Sequence, residues 1–398
     1  MSALSRDAAI PLLFNVESLD ATPLTGVGHY TACLLDALQA RDDLGIRCFS
    51  GSRLTASIPA TAVSESAIAH ASRRPLLKRI AGRLVWSLGN FQVVRRAAFW
   101  HGVGRHLADG TIYHEPNHIL KPIDARAVTT IHDLSIIHYP QHHPADRLRY
   151  FHSQLPRTLE QSARILTVSE FSRRDIVSTL GVPPERISVT YNGVHGRFKP
   201  VDPDAAAPVL ARWGLTFGSY ILSVGTREPR KNLLSLIEAF KRLPKRLRCQ
   251  RPLVLVGAKG WLHESCESQL DALERAGEAA RLDYVPLETL PALYSGAAGF
   301  AYLSVYEGFG LPVLEAVACG VPVLTSADTA MAEIVGDIAI LVDPLDPDAC
   351  AAGVQRLLDD GINRSRARSD GPQLARPYTW QRTADQTVAA YALAMETH

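Results

Sequence analysis

A pair of α/β domains, each a parallel sheet flanked by helices, is the architecture this sequence predicts. Short apolar runs alternate with amphipathic stretches from end to end, the pattern of repeated β-α-β units. At 398 residues the chain is longer than one ordinary core sustains. Near 192–208, Asn-Gly and then three prolines with aspartates interrupt the pattern. The expected division is 1–195, 205–378 and a final helix, 379–398.

In the first half the clearest strands are 10–16, 127–131 and 164–168; in the second they are 220–224, 252–256, 299–305 and 321–324. The stretch 379–395 has helical periodicity, with Trp380, Val388 and Tyr391 as anchors. Ligands of open α/β sheets bind beyond the carboxyl ends of the strands, so two such domains place the expected site in the cleft between them.

Composition is that of an ordinary globular protein: 46% apolar, 21% charged, formal charge +2. No apolar run approaches about 20 residues, so no membrane-spanning helix is expected. The stretch 8–16 lacks a basic region before it and a cleavage site after it, and reads as a first strand, not a signal peptide. The six cysteines form no CxxC pair and no metal-like cluster, which predicts free thiols in a reducing cytosol.

The most informative segment is Tyr-Glu-Gly-Phe-Gly-Leu-Pro-Val-Leu-Glu-Ala-Val-Ala at 306–318. Gly308 and Gly310 break any continuous helix, so Glu307 belongs on a loop after the strand 299–305. A helix then begins at Pro312, whose fixed φ suits a first turn, with Glu315 one turn in. The amides around Gly310, Leu311 and Val313 face the cleft as orphan donors, a site for phosphate. Two carboxylates beside a phosphate fit a ligand rich in hydroxyls, and a nucleotide sugar has both.

Other strand ends supply the rest. After strand 220–224 comes Gly-Thr-Arg-Glu-Pro-Arg-Lys-Asn at 225–232, then an apolar helix. Arg230 and Lys231 at a helix start oppose its dipole, which an anionic ligand would explain; a solvated basic turn is the plain alternative. Thr-Gly-Val-Gly-His-Tyr at 25–30 opens a helix at Tyr30, with Gly26 and Gly28 allowing close backbone approach. It is not the dinucleotide fingerprint, because the third glycine is missing. His132 ends the strand 127–131 and is placed to donate to a sugar hydroxyl, with Asp133 orienting it or capping a helix. Between Ser66 and Ala108 there is no acidic residue, while basic residues from Arg73 to Arg105 interleave with Leu, Trp and Phe. That pattern suits an anionic membrane surface better than nucleic acid, and no nucleic-acid partner is expected.

Together these motifs resemble the retaining nucleotide-sugar glycosyltransferases of the GT-B fold, in particular family 4, which includes bacterial mannosyl- and rhamnosyltransferases. The resemblance covers nearly the whole chain. Besides the segments already quoted it is carried by Thr-Ile-His-Asp-Leu-Ser at 130–135, Thr-Val-Ser-Glu-Phe-Ser-Arg-Arg-Asp at 167–175 and Tyr-Asn-Gly-Val at 191–194. It implies two Rossmann-like domains, a first that binds acceptor and a second that binds donor, with the final helix 379–398 crossing back to the first. Carried over by residue, Glu315 binds the donor ribose and Glu307 the transferred hexose. Arg230 and Lys231 neutralise the diphosphate leaving group, and His132 reaches the hexose. Gly26, Gly28, Gly225 and the run Gly308, Phe309, Gly310, Leu311 line the donor. Thr226 stands where some relatives carry an arginine, so the resemblance does not carry a phosphate role over to Arg227.

The implied activity is metal-independent, retaining transfer of mannose or rhamnose from a GDP-sugar, with no cofactor beyond the donor. The implied acceptor is a glycan or lipid-linked glycan of bacterial surface polysaccharide, lipopolysaccharide O-antigen or capsule. The implied place is the cytoplasm, peripheral to the inner membrane face. Rival readings are a UDP- or ADP-sugar transferase of the same fold, a sugar-nucleotide epimerase or glucan phosphorylase, and a non-catalytic donor-binding subunit. Asp346-Pro347-Asp348 has the form of a metal-holding Asp-x-Asp, but its late position fits a helix cap better.

Overall fold

In the computed structural model, which describes residues 9–21, 24–51, 53–55, 107, 110–258, 260, 264–283, 285–359 and 361–396, the first strand is β1 (Ile10–Asn15). Its Leu12, Leu13 and Phe14 are buried, as a strand covered on both faces requires. The first sheet continues with β2 (Leu44–Ser50), β3 (Arg53–Thr55), β4 (Ile112–Glu115), β5 (Arg126–Thr130), β6 (Ser162–Thr167) and β7 (Ile187–Val189). Their order is β3-β2-β1-β4-β5-β6-β7, parallel throughout except for β3, which runs antiparallel on β2. The basic segment 73–105 lies outside the described residues.

The second sheet comprises β8 (Ile221–Val224), β9 (Leu253–Val256), β10 (Ala279–Leu282), β11 (Gly299–Tyr302), β12 (Val323–Ser326) and β13 (Ile340–Val342). It is wholly parallel, in the order β10-β9-β8-β11-β12-β13. One of its layers packs the helices Leu233–Lys241 and Pro347–Asp359 through Leu236, Ile237, Phe240, Val354 and Leu357. In both sheets strand order reverses beside the first strand, at β1/β4 and at β8/β11. Those reversals open the crevices where a doubly wound sheet takes its ligand.

The helix Trp380–Glu396 crosses back to the first domain and packs on the helix Gly26–Gln39 and on β5 and β6. Tyr391 is its central anchor, its hydroxyl 2.7 Å from Nδ1 of buried His114, whose Nε2 meets Thr130 Oγ1 at 2.8 Å. Trp380 and Val388 are half-buried. The returning chain lies directly on the interdomain linker: Val194 N donates to Tyr378 O at 3.0 Å and Thr383 Oγ1 to Tyr191 O at 2.6 Å. A Cβ on Gly193 would stand 2.1 Å from Trp380 N, so only glycine permits this crossing.

Three boundaries differ from the sequence expectation. β11 stops at Tyr302, not Val305, because Val305 N and Ser304 Oγ turn to the Arg230 carbonyl, each at 3.0 Å. The strand expected at 321–324 begins at Val323. Gly320 N donates to Val317 O and Val321 N to Ala316 O, closing a Schellman turn at the end of the helix Leu311–Ala318. The first helix starts at Gly26 rather than Tyr30, since Thr25 caps it by accepting from Gly28 N at 3.2 Å.

Candidate active site

The carboxyl ends of β8 and β11, the strands that flank the reversal in the second sheet, bring together Arg230, Lys231 and Glu307. Beyond β8 the chain makes a tight turn, Pro229–Lys231, ended by Asn232 in the left-handed region at φ 53°. Asn232 is fastened there: its amide donates to Pro344 O at 2.8 Å and its side-chain oxygen accepts from Ser235 Oγ at 2.7 Å. Arg230 and Lys231 therefore end a short turn and do not begin the helix Leu233–Lys241, contrary to the sequence expectation.

Both cations grip Glu307. Arg230 Nη1 donates to Oε2 at 2.8 Å, and Lys231 Nζ to Oε1 at 2.6 Å. Ser304 Oγ and Tyr302 OH also donate to Oε1, at 2.7 and 3.1 Å. Glu307 is 7% exposed. Burial alone would raise its carboxyl, but Arg230 and then Lys231 prevail and hold it down at about 2. Glu228, which the sequence reading passed over, takes Arg230 Nη2 at 2.9 Å. Asp133 approaches Arg230 from the first domain at 3.9 Å. The Arg230 guanidinium, though buried, is pushed further toward its charged form by Glu307, Asp133 and Glu228.

Glu315 stands half-buried on the helix Leu311–Ala318, which begins at Gly310 with proline in its first turn. Tyr294 OH donates to it at 2.8 Å, yet burial wins and raises its carboxyl to about 7. Gly26 and Gly28 stand at the start of the helix Gly26–Gln39 in the first domain. Gly26 opens that helix with nothing near its Cβ position, and Gly28 packs against Ser18 O. Gly225 lies beside the Tyr302 ring. The Phe309 ring is buried against Tyr191 and Tyr378, at 6.5 and 6.1 Å between centroids, which makes it part of the seam between domains. Leu311 is half-buried at the start of the Glu315 helix.

His132 comes to the same place, because a Cβ on Gly308 would lie 2.1 Å from the His132 carbonyl oxygen. Its ring Nε2 lies 2.8 Å from Pro116 O, which can only accept, so that nitrogen carries the proton. Burial favours the neutral ring. The remaining Nδ1 is then an acceptor, and a sugar hydroxyl would donate to it; the expected direction of that bond is reversed. The Arg227 guanidinium is engaged within its own domain. It is 5% exposed and donates to Glu267 at 2.9 Å, Gly257 O at 2.7 Å and Asp283 at 3.0 Å. The Asp346 carboxylate accepts from Asp348 N and Ala349 N at 2.8 and 3.1 Å, so it caps the helix Pro347–Asp359. Among the described residues no group of His, Cys, Asp and Glu is arranged to hold a metal, and no helix is long and apolar enough to cross a membrane.

Comparison with known proteins agrees with this fold. Residues 24–196 match the family model described as Glycosyltransferase Family 4, and 218–373 match Glycosyl transferases group 1. The chain is 38% identical over 373 residues to the O-antigen chain mannosyltransferase B of Escherichia coli, covering 93% of this chain and 97% of that protein. It is 27% identical over 245 residues to the O-antigen chain mannosyltransferase RfbU of Salmonella typhimurium, covering 61% of this chain and 64% of the relative. Among solved structures, the sucrose-phosphate synthase of Thermosynechococcus elongatus superposes with a TM-score of 0.68 at 19% identity, covering 96% of this chain and 98% of the other. WaaG, a glycosyltransferase involved in lipopolysaccharide biosynthesis, gives 0.66 at 18%, covering 96% and 99%.

Proposed function

This chain belongs to the family 4 glycosyltransferases of the GT-B fold, and on that footing we propose that it moves mannose from GDP-mannose to a glycan of a bacterial surface polysaccharide. The observation that carries the site reading is the grip of Arg230 and Lys231 on Glu307 at the strand-order reversal of the second sheet. Mannose and O-antigen are supported by the Escherichia coli relative, whose name states that activity.

In this reading Glu315 accepts from the donor ribose and Glu307 from the hexose, while Arg230, Lys231 and the amides at Gly310 and Leu311 face the diphosphate. The bond from the anomeric carbon to the diphosphate oxygen breaks, and its electron pair leaves with the diphosphate. The acceptor hydroxyl oxygen attacks the same face, retaining configuration, and its proton passes to the departing diphosphate. Placing fixed cations where negative charge grows is the main source of acceleration. The acceptor is lipid-linked, and the basic segment 73–105 brings the enzyme to the anionic inner face of the membrane. Failure to partition onto anionic vesicles at low salt would refute that part.

A donor screen by thermal shift tests the central claim, using GDP-mannose, GDP-rhamnose, UDP-glucose, UDP-GlcNAc and ADP-glucose, each with and without magnesium. A ligand at about 100 times its dissociation constant stabilises by roughly 2.7 kcal/mol. A metal-independent shift confined to the guanosine donors is expected. A shift with uridine or adenosine donors alone would overturn the choice of donor.

A further inference from the structure

The motif at 167–175 helps carry the family resemblance, yet nothing above gives it a role. In the structure its polar atoms turn toward the opposite domain. Ser169 Oγ donates to the Gly308 carbonyl at 2.6 Å. Ser172 Oγ lies 3.2 Å from that same carbonyl and 3.0 Å from the His132 carbonyl, so one hydroxyl ties the two site loops together across the cleft. Asp175 accepts the hydroxyl of Tyr306, which in turn accepts from Leu134 N at 3.0 Å. At the start of the helix Glu170–Leu180, the amides of Glu170 and Phe171 donate to the two carboxylate oxygens of Glu333, at 3.0 and 2.9 Å. Tyr306 itself is 6% exposed, in a socket formed by the rings of His138, Tyr139 and Phe171.

Glu307 therefore sits between two residues, Tyr306 and Gly308, that are each bonded to the first domain. Arg230 and Lys231 of its own domain hold its side chain, and Arg230 also donates to the Tyr306 carbonyl at 2.9 Å, whereas the Tyr306 hydroxyl and the Gly308 carbonyl on either side are bonded to the first domain. We propose that 167–175 is a docking latch that brings Glu307 and His132 into register when the domains meet, with Tyr306, Asp175 and Ser172 as positioning residues. The backbones touch at Gly308 without an intervening side chain, so the latch has little slack. Displacement of a reacting group by about 1 Å can cost on the order of 100-fold in rate. The nucleotide part of the donor is read as held by Glu315, Arg230 and Lys231 of the second domain, so loss of the latch acts on the placing of the hexose and lowers kcat more than it raises the donor KM.

This inference rests on the reading of Glu307 given above. The test is a double-mutant cycle of Tyr306→Phe and Glu307→Gln with the full chain, GDP-mannose and a saturating acceptor. Tyr306→Phe is expected to lower kcat tenfold or more while the donor KM stays within twofold. In the Glu307→Gln background the same change should cost markedly less than in the parent, because the part of its effect that acts through Glu307 is gone and only the placing of His132 remains. Asp175→Ala should behave as Tyr306→Phe does, and Asp175→Asn, which still accepts the tyrosine hydroxyl, should recover most of the rate. Multiplying losses in the double variant, or a rise in donor KM that matches the fall in kcat, would overturn the latch alone. A Glu307→Gln enzyme with undiminished kcat would overturn the site reading beneath it.

Discussion

Replacing Glu307 by glutamine keeps the shape of the side chain and removes its charge. One carboxylate oxygen becomes a donor that faces a cation, while Arg230 and Lys231 lose their closest counter-charge. The folded chain holds the Glu307 carboxyl at about 2, against an ordinary value of 4.5. That difference amounts to about 3 kcal/mol of folding stability, the low end of the roughly 3–5 kcal/mol seen when one partner of a buried ion pair is removed. For a domain of this size it corresponds to about 6–12 °C in midpoint. The sign follows from the depressed value: the contribution is complete above about 4.5 and is lost as pH falls through about 2. Thermal unfolding of parent and variant from pH 5 to 9, at fixed ionic strength, should show a constant deficit. GDP should narrow it, because the diphosphate supplies the missing anion to the two cations. A variant midpoint within 2 °C of the parent at pH 7, with GDP stabilising both equally, would refute the reasoning.

Glu315 shifts the other way. With its folded-state carboxyl raised to about 7, it increasingly opposes folding as pH climbs from about 4.5 to 7, so Glu315→Gln should raise the midpoint at pH 8 and leave it unchanged near pH 4. The parent should bind GDP-mannose more tightly as pH rises through 7, a dependence read by calorimetry that Glu315→Gln should abolish along with about tenfold in affinity. Gly193→Ala drives a methyl onto the Trp380 backbone and should cost about 1–3 kcal/mol or more in a urea titration, with a wild-type-like GDP-mannose affinity in the protein that remains folded. Arg227→Ala leaves Glu267 short of a partner in a buried network and should destabilise by about 3 kcal/mol, with kcat at saturating donor within threefold of the parent.

Most of the scaffold was legible because it is written locally. Runs such as Leu253–Val256 are apolar without alternation, which is what a strand buried on both faces needs, and Pro312 and Gly310 mark the start of the Glu315 helix. Glu307, Arg230 and Lys231 were singled out because they follow β11 and β8, which flank the crevice of the second sheet, and His132 because it follows β5, one strand beyond the crevice of the first. What escaped was set by distant partners. Arg227 lies three residues from Arg230 in a basic turn, and nothing nearby in sequence says that Glu267 and Asp283 will claim it. The early end of β11 depends on the carbonyl of Arg230, more than seventy residues away. The direction of the His132 hydrogen bond was set by Pro116 O, and the role of Tyr306 by Asp175, both in other segments of the fold.

The return of the helix Trp380–Glu396 to the first domain sets the order in which the protein can be finished on the ribosome. The strands of the first sheet have all been made by residue 189, but the hydroxyl that meets His114 belongs to Tyr391, and the Met395 carbonyl that takes Arg126 lies later still. At about 5–20 residues per second, roughly 10–40 s of synthesis separate Val189 from Glu396. During that interval the helix Gly26–Gln39 lacks the face that will cover it, while the second sheet has all its strands by Val342. The half of the protein that emerges first is thus completed last, against a neighbour that has already formed.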